Sequence, residues 1–285
     1  MDLHGFVKAA LAEDVRDGDH TSLACIPSSA QGSMKLLLKE EGVIAGLQIS
    51  QDILRIIDKD VQIQAHNQDG DLLQPGHIVM QIHGNVQKLL IAERLILNMM
   101  QRMSGIATKT RAMMKLIKGT STKILDTRKT TPLFRYFEKE AVRIGGGTNH
   151  RHGLYDAMMI KDNHIDFSGS LTTAIENCIS YQRSQNKPMN IIVEARDLNE
   201  VKEILNAPKV RRILLDNFCL EMTKEAVSLI AGKRETESSG GIDEHTIRDY
   251  ALCGVDYISM GALTHQMNSL DISLKADFDV SKVEK

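Results

Sequence analysis

Residues 190–217 read NIIVEARDLNEVKEILNAPKVRRILLDN. Two short apolar runs, NIIVE (190–194) and RILLD (212–216), flank a stretch with helical spacing at 197–206. Each run ends on a carboxylate, Glu194 or Asp216. Strand, helix and strand within so short a span predict parallel strands joined by a right-handed crossover. The unit recurs on both sides. Apolar runs at 122–126 (TKILD), 156–161 (DAMMIK) and 256–261 (DYISMG), with a weaker one at 236–240 (TESSG), alternate with helical segments near 132–145, 169–184, 220–231 and 243–252. Alternation of this kind predicts an α/β domain with a parallel sheet.

Polar or glycine residues follow every strand at once: DTRKTTP (126–132), IKDNH (160–164), VEA (193–195), LLDN (214–217), SSGG (238–241) and SMGALTH (259–265). A doubly wound open sheet concentrates its functional residues at one switch point, whereas a barrel collects them from many strands at its C-terminal rim. The spread favours a barrel over the open sheet. The rim residues supply cations (Arg128, Lys129, Lys161), carboxylates (Glu194, Asp216) and glycine backbone (Gly240, Gly241, Gly261).

The part before the barrel has a different rhythm. A helical pattern at 5–13 is followed by the polar turn DVRDGDHTS, within which residues 18–21 read as a turn with a helix cap. Strand patterns follow at 34–40, 42–47, 61–66 and 77–82, with a helix between the second and third and a Gly/Pro turn at 69–76. A long helix is predicted from about Val86 to Lys118, with Ile91, Leu95, Met99, Met103 and Ile106 on one stripe. Gly105 predicts a kink or break, and a domain boundary is placed there.

The whole chain of 285 residues carries 35 Lys and Arg against 37 Asp and Glu, a net charge of −2. That balance argues against a generic nucleic-acid surface, and 4% aromatics leave few stacking platforms for single strands. Cys25, Cys178, Cys219 and Cys253 are scattered without metal or disulfide spacing, so a reducing cytoplasm is expected. The N-terminal segment shows no signal-peptide core and no apolar run is long enough for a membrane span. The near-neutral total hides a local surplus: residues 123–161 hold eight Lys or Arg and four Asp or Glu.

Forked arginines suit planar carboxylates, and lysines act as point charges for carboxylate or phosphate. Arg128, Lys129, Arg151 and Lys161 are read that way, while Arg135, Lys139 and Arg143 equally fit a solvated helix face. Glu194 and Asp216 beside a cationic pocket suit Mg2+ with a phosphorylated sugar, or else general acid–base work as in glycosidases. The H-x-H at 150–152 lacks a third ligand, so zinc is not expected. Lys161 as a Schiff-base nucleophile of a barrel aldolase is a rival reading, as is a non-enzymatic phosphosugar-binding barrel.

At these motifs the chain resembles the quinolinate phosphoribosyltransferases, also called nicotinate-nucleotide pyrophosphorylases (carboxylating). The resemblance rests on ALAEDVRDGDHT (10–21), ERLILNMMQRMSGIAT (93–108), the long block from Asp126 to His164, LLDN, SSGGI (238–242) and GVDYISMGALTH (254–265). It implies a type II phosphoribosyltransferase fold, with an N-terminal α/β sandwich domain (1–105) and an incomplete parallel α/β barrel (106–265). A C-terminal tail (266–285) would return to the first domain. It implies transfer of phosphoribose from phosphoribosyl pyrophosphate to quinolinate with loss of CO2, in a homodimer or higher oligomer. A related protein of that fold with a different substrate is the alternative.

The resemblance also implies roles. Arg128, His150, Arg151 and Lys161 match carboxylate-binding positions, and Arg94 matches an arginine reaching in from a partner subunit. Lys129 matches a phosphoribosyl contact. Ser239, Gly240, Gly261 and His265 match phosphate-binding positions. Glu194 and Asp216 match the groups that hold ribose hydroxyls and Mg2+. Lys129, Lys161, Glu194 and Asp216 are the expected catalytic set. After Glu194 the chain has Ala195, Arg196 and Asp197, a small departure from the family pattern.

Overall fold

The structure is a computed structural model and describes residues 2–277. Contacts divide the chain into two units. One comprises the chain up to Lys109, Pro132–Gly145 and the chain from Met267; the other comprises Thr110–Thr131 and Gly146–Gln266. The segment 132–145, read from the sequence as one of the helices alternating with barrel strands, thus belongs by its contacts to the first unit. Of the tail expected at 266–285, residues 278–285 lie outside the described residues.

The first unit contains α1 (Leu3–Asp14), α2 (His20–Cys25), β1 (Gln31–Leu38), β2 (Gly42–Val43), α3 (Leu47–Ile57), β3 (Gln62–Ala65), β4 (Leu72–Leu73) and β5 (Ile78–Asn85). The helix α4 (Val86–Leu116) follows, and α5 (Arg135–Ile144) and β12 (Ile272–Ala276) complete the unit. Its antiparallel sheet has the order β12-β1-β5-β3. Alternation puts Met34, Leu36, Leu38, Met80, Ile82 and Leu274 into the core, with Leu36 opposite both Met80 and Leu274.

The expected strand at 42–47 is shorter than its apolar run. It pairs with β4 on one edge, while on the other its backbone is satisfied by side chains of α4: Val43 N–H donates to Thr108 Oγ1 (2.8 Å) and Ala45 N–H to Ser104 Oγ (3.0 Å). Asp69 then caps α3, accepting from Leu47 N (2.9 Å) and Gln48 N (3.2 Å). The turn at 18–21 contains the start of α2, capped by Asp19, whose side chain accepts from Ser22 N.

One expectation for α4 fails and another holds in part. The helix runs unbroken through Gly105, because that glycine accommodates a crossing chain and makes no kink: a Cβ there would lie 2.0 Å from the carbonyl oxygen of Asn268. Of the expected stripe, Met99, Met103 and Ile106 are buried, while Ile91 and Leu95 are only part-buried and Leu89, Ala92 and Ile96 take their place in the first half of the helix. Ile91 instead lines a groove with α1 and α3. In α5, Phe137 stacks with Phe6 and Phe134 at centroid distances of 4.6 and 4.7 Å. Glu138 is buried and ion-paired to Arg102 (2.7 Å), and Lys139 is fully buried. Of the 135–139–143 row, Lys139 is thus buried while Arg143 stays exposed and pairs with Glu140.

The second unit contains β6 (Lys123–Leu125), β7 (Ala157–Ile160), α6 (Asp162–Ser168), α7 (Leu171–Ser184), β8 (Asn190–Ala195), α8 (Leu198–Asn206), β9 (Val210–Asp216), α9 (Leu220–Ile230), β10 (Glu235–Ser239), α10 (Ile247–Leu252), β11 (Tyr257–Ser259) and α11 (Ala262–His265). Its six parallel strands have the order β6-β11-β10-β9-β8-β7. Every crossover from β7 to β11 steps to the next neighbour in one direction, and the first strand sits beside the last. A doubly wound sheet reverses direction at a switch point; this one does not, so it is a barrel opened between β6 and β7. The glycine-rich segment GGGTN (145–149) is tied to the first strand at that opening. Thr148 forms a parallel bridge with Leu125, donating to Ile124 O (2.8 Å) while Asp126 N–H donates back to Thr148 O (3.2 Å).

One face of this sheet packs against α7, α8, α9 and α10 and is closed by Ile191, Val193, Ile213, Leu215 and Ile258. The opposite face carries Ile192 beside Arg212 beside Glu235, then Glu194, Leu214, Glu237 and Tyr257, then Asp216 beside Ser239. A barrel interior is usually filled by layers of branched apolar side chains. Here the interior is charged from top to bottom.

Candidate active site

The strand ends of the second unit position the expected residues. Lys161 follows β7 and caps α6, and its side chain returns over the sheet to Glu194 at the end of β8, with Nζ 2.9 Å from Oε1. Asp216 ends β9 in register with Ser239, and its Oδ2 accepts from Asn217 Nδ2 (2.8 Å). Burial raises the Glu194 carboxyl above the ordinary glutamate range; the Lys161 ion pair opposes this, and the negative charges of Asp216 and Asp162 reinforce it. Glu194 and Asp216 therefore sense each other's charge across neighbouring strands.

On the cationic side, Arg151 is half-buried and its Nη1 donates to Ala157 O (3.0 Å). Burial lowers its pKa first and the charge of Arg128 second, with Asp156 and Glu194 pulling the other way. Two guanidinium groups that repel each other in a partly buried setting are stabilised by an anion between them. Arg128 also has a buried Nε with no hydrogen-bond partner in the protein. The arrangement suits a planar carboxylate ligand.

A second group assembles around Gly261. A Cβ on this residue would lie 2.9 Å from both His265 Nε2 and Lys129 Cδ, so the glycine lets the two side chains converge over its backbone. Thr264 Oγ1 donates to Lys129 O (2.7 Å) and fixes the loop that carries the lysine. Gly240 has φ +103°, and a Cβ would meet Asn217 Oδ1 at 2.1 Å, so neither conformation nor space admits a side chain. Ser239, Gly240 and Gly241 thus leave exposed backbone beside Asp216, the kind of surface that accepts phosphate oxygens.

His150 is buried between the rim and the sheet interior. Its ring is buried, accepts from Arg151 N–H at Nδ1 (2.6 Å), and has Nε2 3.3 Å from Glu237 Oε2. Arg94 lies in the other unit, exposed on α4 and paired with neighbouring Glu93 (3.0 Å). Sequence reasoning missed Asp126, Arg212 and Glu237. Asp126 is buried and accepts the His150 N–H (2.8 Å). The signal for the other two was period-two alternation: Arg212 shares a strand face with Asp216, as Glu237 does with Ser239. Among the described residues no three His, Cys, Asp or Glu side chains cluster as a metal site, and no helix is long and apolar enough to cross a membrane.

Both halves of the chain match known families. Residues 19–104 match the quinolinate phosphoribosyl transferase N-terminal domain and residues 106–275 the C-terminal domain. The chloroplastic nicotinate-nucleotide pyrophosphorylase [carboxylating] of Arabidopsis thaliana is 41% identical, covering 98% of this chain and 84% of that protein. The probable nicotinate-nucleotide pyrophosphorylase [carboxylating] of Bacillus subtilis is 39% identical, covering 96% and 93%. The crystal structure of NadC from Streptococcus pyogenes superposes with a TM-score of 0.90 at 41% identity, covering 97% of each chain. A one-way barrel with a cationic, carboxylate-edged rim, matched over nearly its whole length, leaves one assignment: the chain belongs to the quinolinate phosphoribosyltransferase family.

Proposed function

We propose that the protein joins quinolinate to phosphoribosyl pyrophosphate, releasing pyrophosphate and CO2 and leaving nicotinate mononucleotide. It is a pentosyltransferase of pyridine nucleotide and NAD biosynthesis. The observation that carries this reading is the juxtaposition of Arg128 and Arg151 with the Lys161–Glu194 pair on one rim. A planar dicarboxylate needs forked cations, and a phosphosugar needs carboxylates for its hydroxyls and metal.

Arg128, Arg151 and Lys161 bind and orient the two carboxylates of quinolinate, so that the ring nitrogen faces the anomeric carbon. Lys129, Ser239, Gly240, Gly261 and His265 hold the phosphates. Glu194 and Asp216 face the sugar and stabilise positive charge as the bond to pyrophosphate breaks. Two carboxylates at the ends of neighbouring strands, with burial and the charge of Asp216 raising the proton affinity of Glu194, fit a hard divalent ion shared with substrate oxygens. They would hold Mg2+, which supplies charge neutralisation to the leaving pyrophosphate. Ribosylation makes the ring nitrogen cationic, so the electron pair left at the adjacent carbon when CO2 departs is stabilised by that charge and takes up a proton. The Lys161 ammonium is committed to Glu194 at 2.9 Å, which disfavours the Schiff-base reading.

A homodimer in which Arg94 of one copy completes the site of the other accounts for an exposed arginine whose ion pair, among the described residues, is with the adjacent Glu93. The four free cysteines support a reducing, cytoplasmic setting. The test is a stoichiometric assay with quinolinate, phosphoribosyl pyrophosphate and Mg2+. Nucleotide and CO2 should appear one to one. Equal consumption of nicotinate, which has a single carboxylate, would overturn the account of two-carboxylate recognition.

A further inference from the structure

Behind the rim, the barrel interior contains a chain of buried charged groups that the reaction itself does not require. Arg212 stacks on the Tyr257 ring, 3.9 Å from its centroid, and is clamped by Glu235, whose Oε2 accepts from Nε and lies 3.0 Å from Nη2. Its Nη1 donates to Glu237 Oε2 (2.9 Å). Glu237 is fully buried, and the same oxygen lies 3.3 Å from His150 Nε2. Burial alone would raise the Glu237 carboxyl, but its contacts with His150 and Arg212 hold it below the usual range. At the far end of the chain, His150 Nδ1 accepts from the backbone N–H of Arg151, and Asp126 accepts from the backbone N–H of His150.

The hydrogen-bond polarity along this chain is fixed. An Nδ1 that accepts from Arg151 N–H carries no proton in the neutral ring, so the proton resides on Nε2, facing Glu237. The protonated nitrogen of the ring that holds the Arg151 backbone thus faces the carboxylate at ion-pair distance, 3.3 Å. The Arg151 side chain, anchored on Ala157 O, is the guanidinium that senses Arg128 and Glu194. A buried ionised carboxylate is a poor way to stabilise a barrel, since well-packed apolar residues of similar volume do so at no desolvation cost. Its position suits a different task, which is to hold a substrate-facing arginine in place from behind.

We infer that Glu237 is a positioning residue for quinolinate: through His150, and braced by Arg212, it presents Arg151 to a carboxylate of the substrate. On this account His150 also holds Arg151 from behind. The inference rests on the proposed function above.

The experiment uses the full-length protein with quinolinate, phosphoribosyl pyrophosphate and Mg2+. Glu237→Gln keeps the shape and removes the charge. His150→Asn keeps an acceptor near Arg151 N–H and breaks the reach to Glu237. Each should raise the KM for quinolinate about tenfold, with the KM for phosphoribosyl pyrophosphate changed less than about twofold. In an Arg151→Ala background, Glu237→Gln should add less than about a further twofold, because the group it acts through is gone. Equal rises in both KM values, or a full additional loss in the Arg151→Ala background, would mean general disruption and overturn the inference. Should Glu237→Gln fail to fold, His150→Asn decides alone by the same split. A wild-type chain that does not bind quinolinate in direct titration overturns the functional reading, and this inference with it. A wild-type chain that binds, beside variants that bind equally well, overturns the inference alone.

Discussion

Glu194 is held in a state it resists. Burial and the nearby negative charges raise its pKa even though Lys161 donates to it. The folded pKa exceeds the unfolded one, so the stability this group contributes is fully present below the ordinary value of 4.5 and is lost as pH rises through the raised value. At neutral pH the ionised carboxylate is therefore a local liability that substrate binding relieves. Glu194→Gln should raise the melting midpoint at pH 8 by about 1–3 °C and lose that advantage near pH 4, while activity falls by about a hundredfold or more. A midpoint lowered at pH 8 would show that the Lys161 ion pair outweighs burial. Gly261 offers a complementary test. Its φ of −62° is ordinary, so alanine costs nothing in the backbone, yet the new methyl meets His265 and Lys129 at 2.9 Å. Gly261→Ala should leave the melting midpoint within about 2 °C and raise the KM for phosphoribosyl pyrophosphate about five- to tenfold, without a matching rise for quinolinate. These two residues were legible in the sequence as strand-end groups. Glu237 was not, because a glutamate inside a weak strand pattern, TESSG, signals nothing until its neighbours on the strand face are known.

At the level of elements, period and punctuation carried most of the fold. The βαβ pattern of 190–217 yields β8, α8 and β9 nearly residue for residue, since alternating burial and a capping aspartate, Asp197, act locally. What local signals could not resolve was contact between distant segments. Gly105 illustrates this, because a glycine within a helical pattern reads as a kink and here serves a crossing chain. The two readings make opposite predictions. In an exposed helix interior, glycine to alanine stabilises by up to about 1 kcal/mol. In α4 the added Cβ would sit 2.0 Å from the Asn268 carbonyl oxygen and 2.4 Å from the Met267 methyl, with backbone that cannot step aside cheaply. Gly105→Ala should destabilise by about 1–3 kcal/mol, lowering the melting midpoint by about 3–10 °C. A rise in the midpoint would restore the kink reading. Similarly, Lys139 reads as a surface residue by spacing and is fully buried, because α5 belongs by its contacts to the first unit and not to the barrel.

For the whole molecule, the informative quantity is the distribution of charge, not its sum. A net charge of −2 conceals a rim where Arg128 and Arg151 repel one another and Asp216 opposes ionisation of Glu194, and on the proposed function both tensions would be relieved by a dianionic ring and a phosphosugar with its metal ion. Arg94 lies outside that rim, in the first unit, and the proposed dimer gives it a role only if it serves a second copy's site. Mixing subunits separates the cases. Arg94→Ala and Arg128→Ala homodimers should each be nearly inactive. In a mixed dimer, the barrel of the Arg94→Ala copy keeps its own Arg128 and receives an intact Arg94 from its partner, while the other barrel lacks both. Random reassortment of equal amounts makes half the dimers mixed, with one working site of two, so about a quarter of wild-type activity should return. If Arg94 acted within its own copy, every site would lack one of the two arginines. Activity would then stay at the homodimer level despite confirmed exchange, and the shared-site dimer would be excluded.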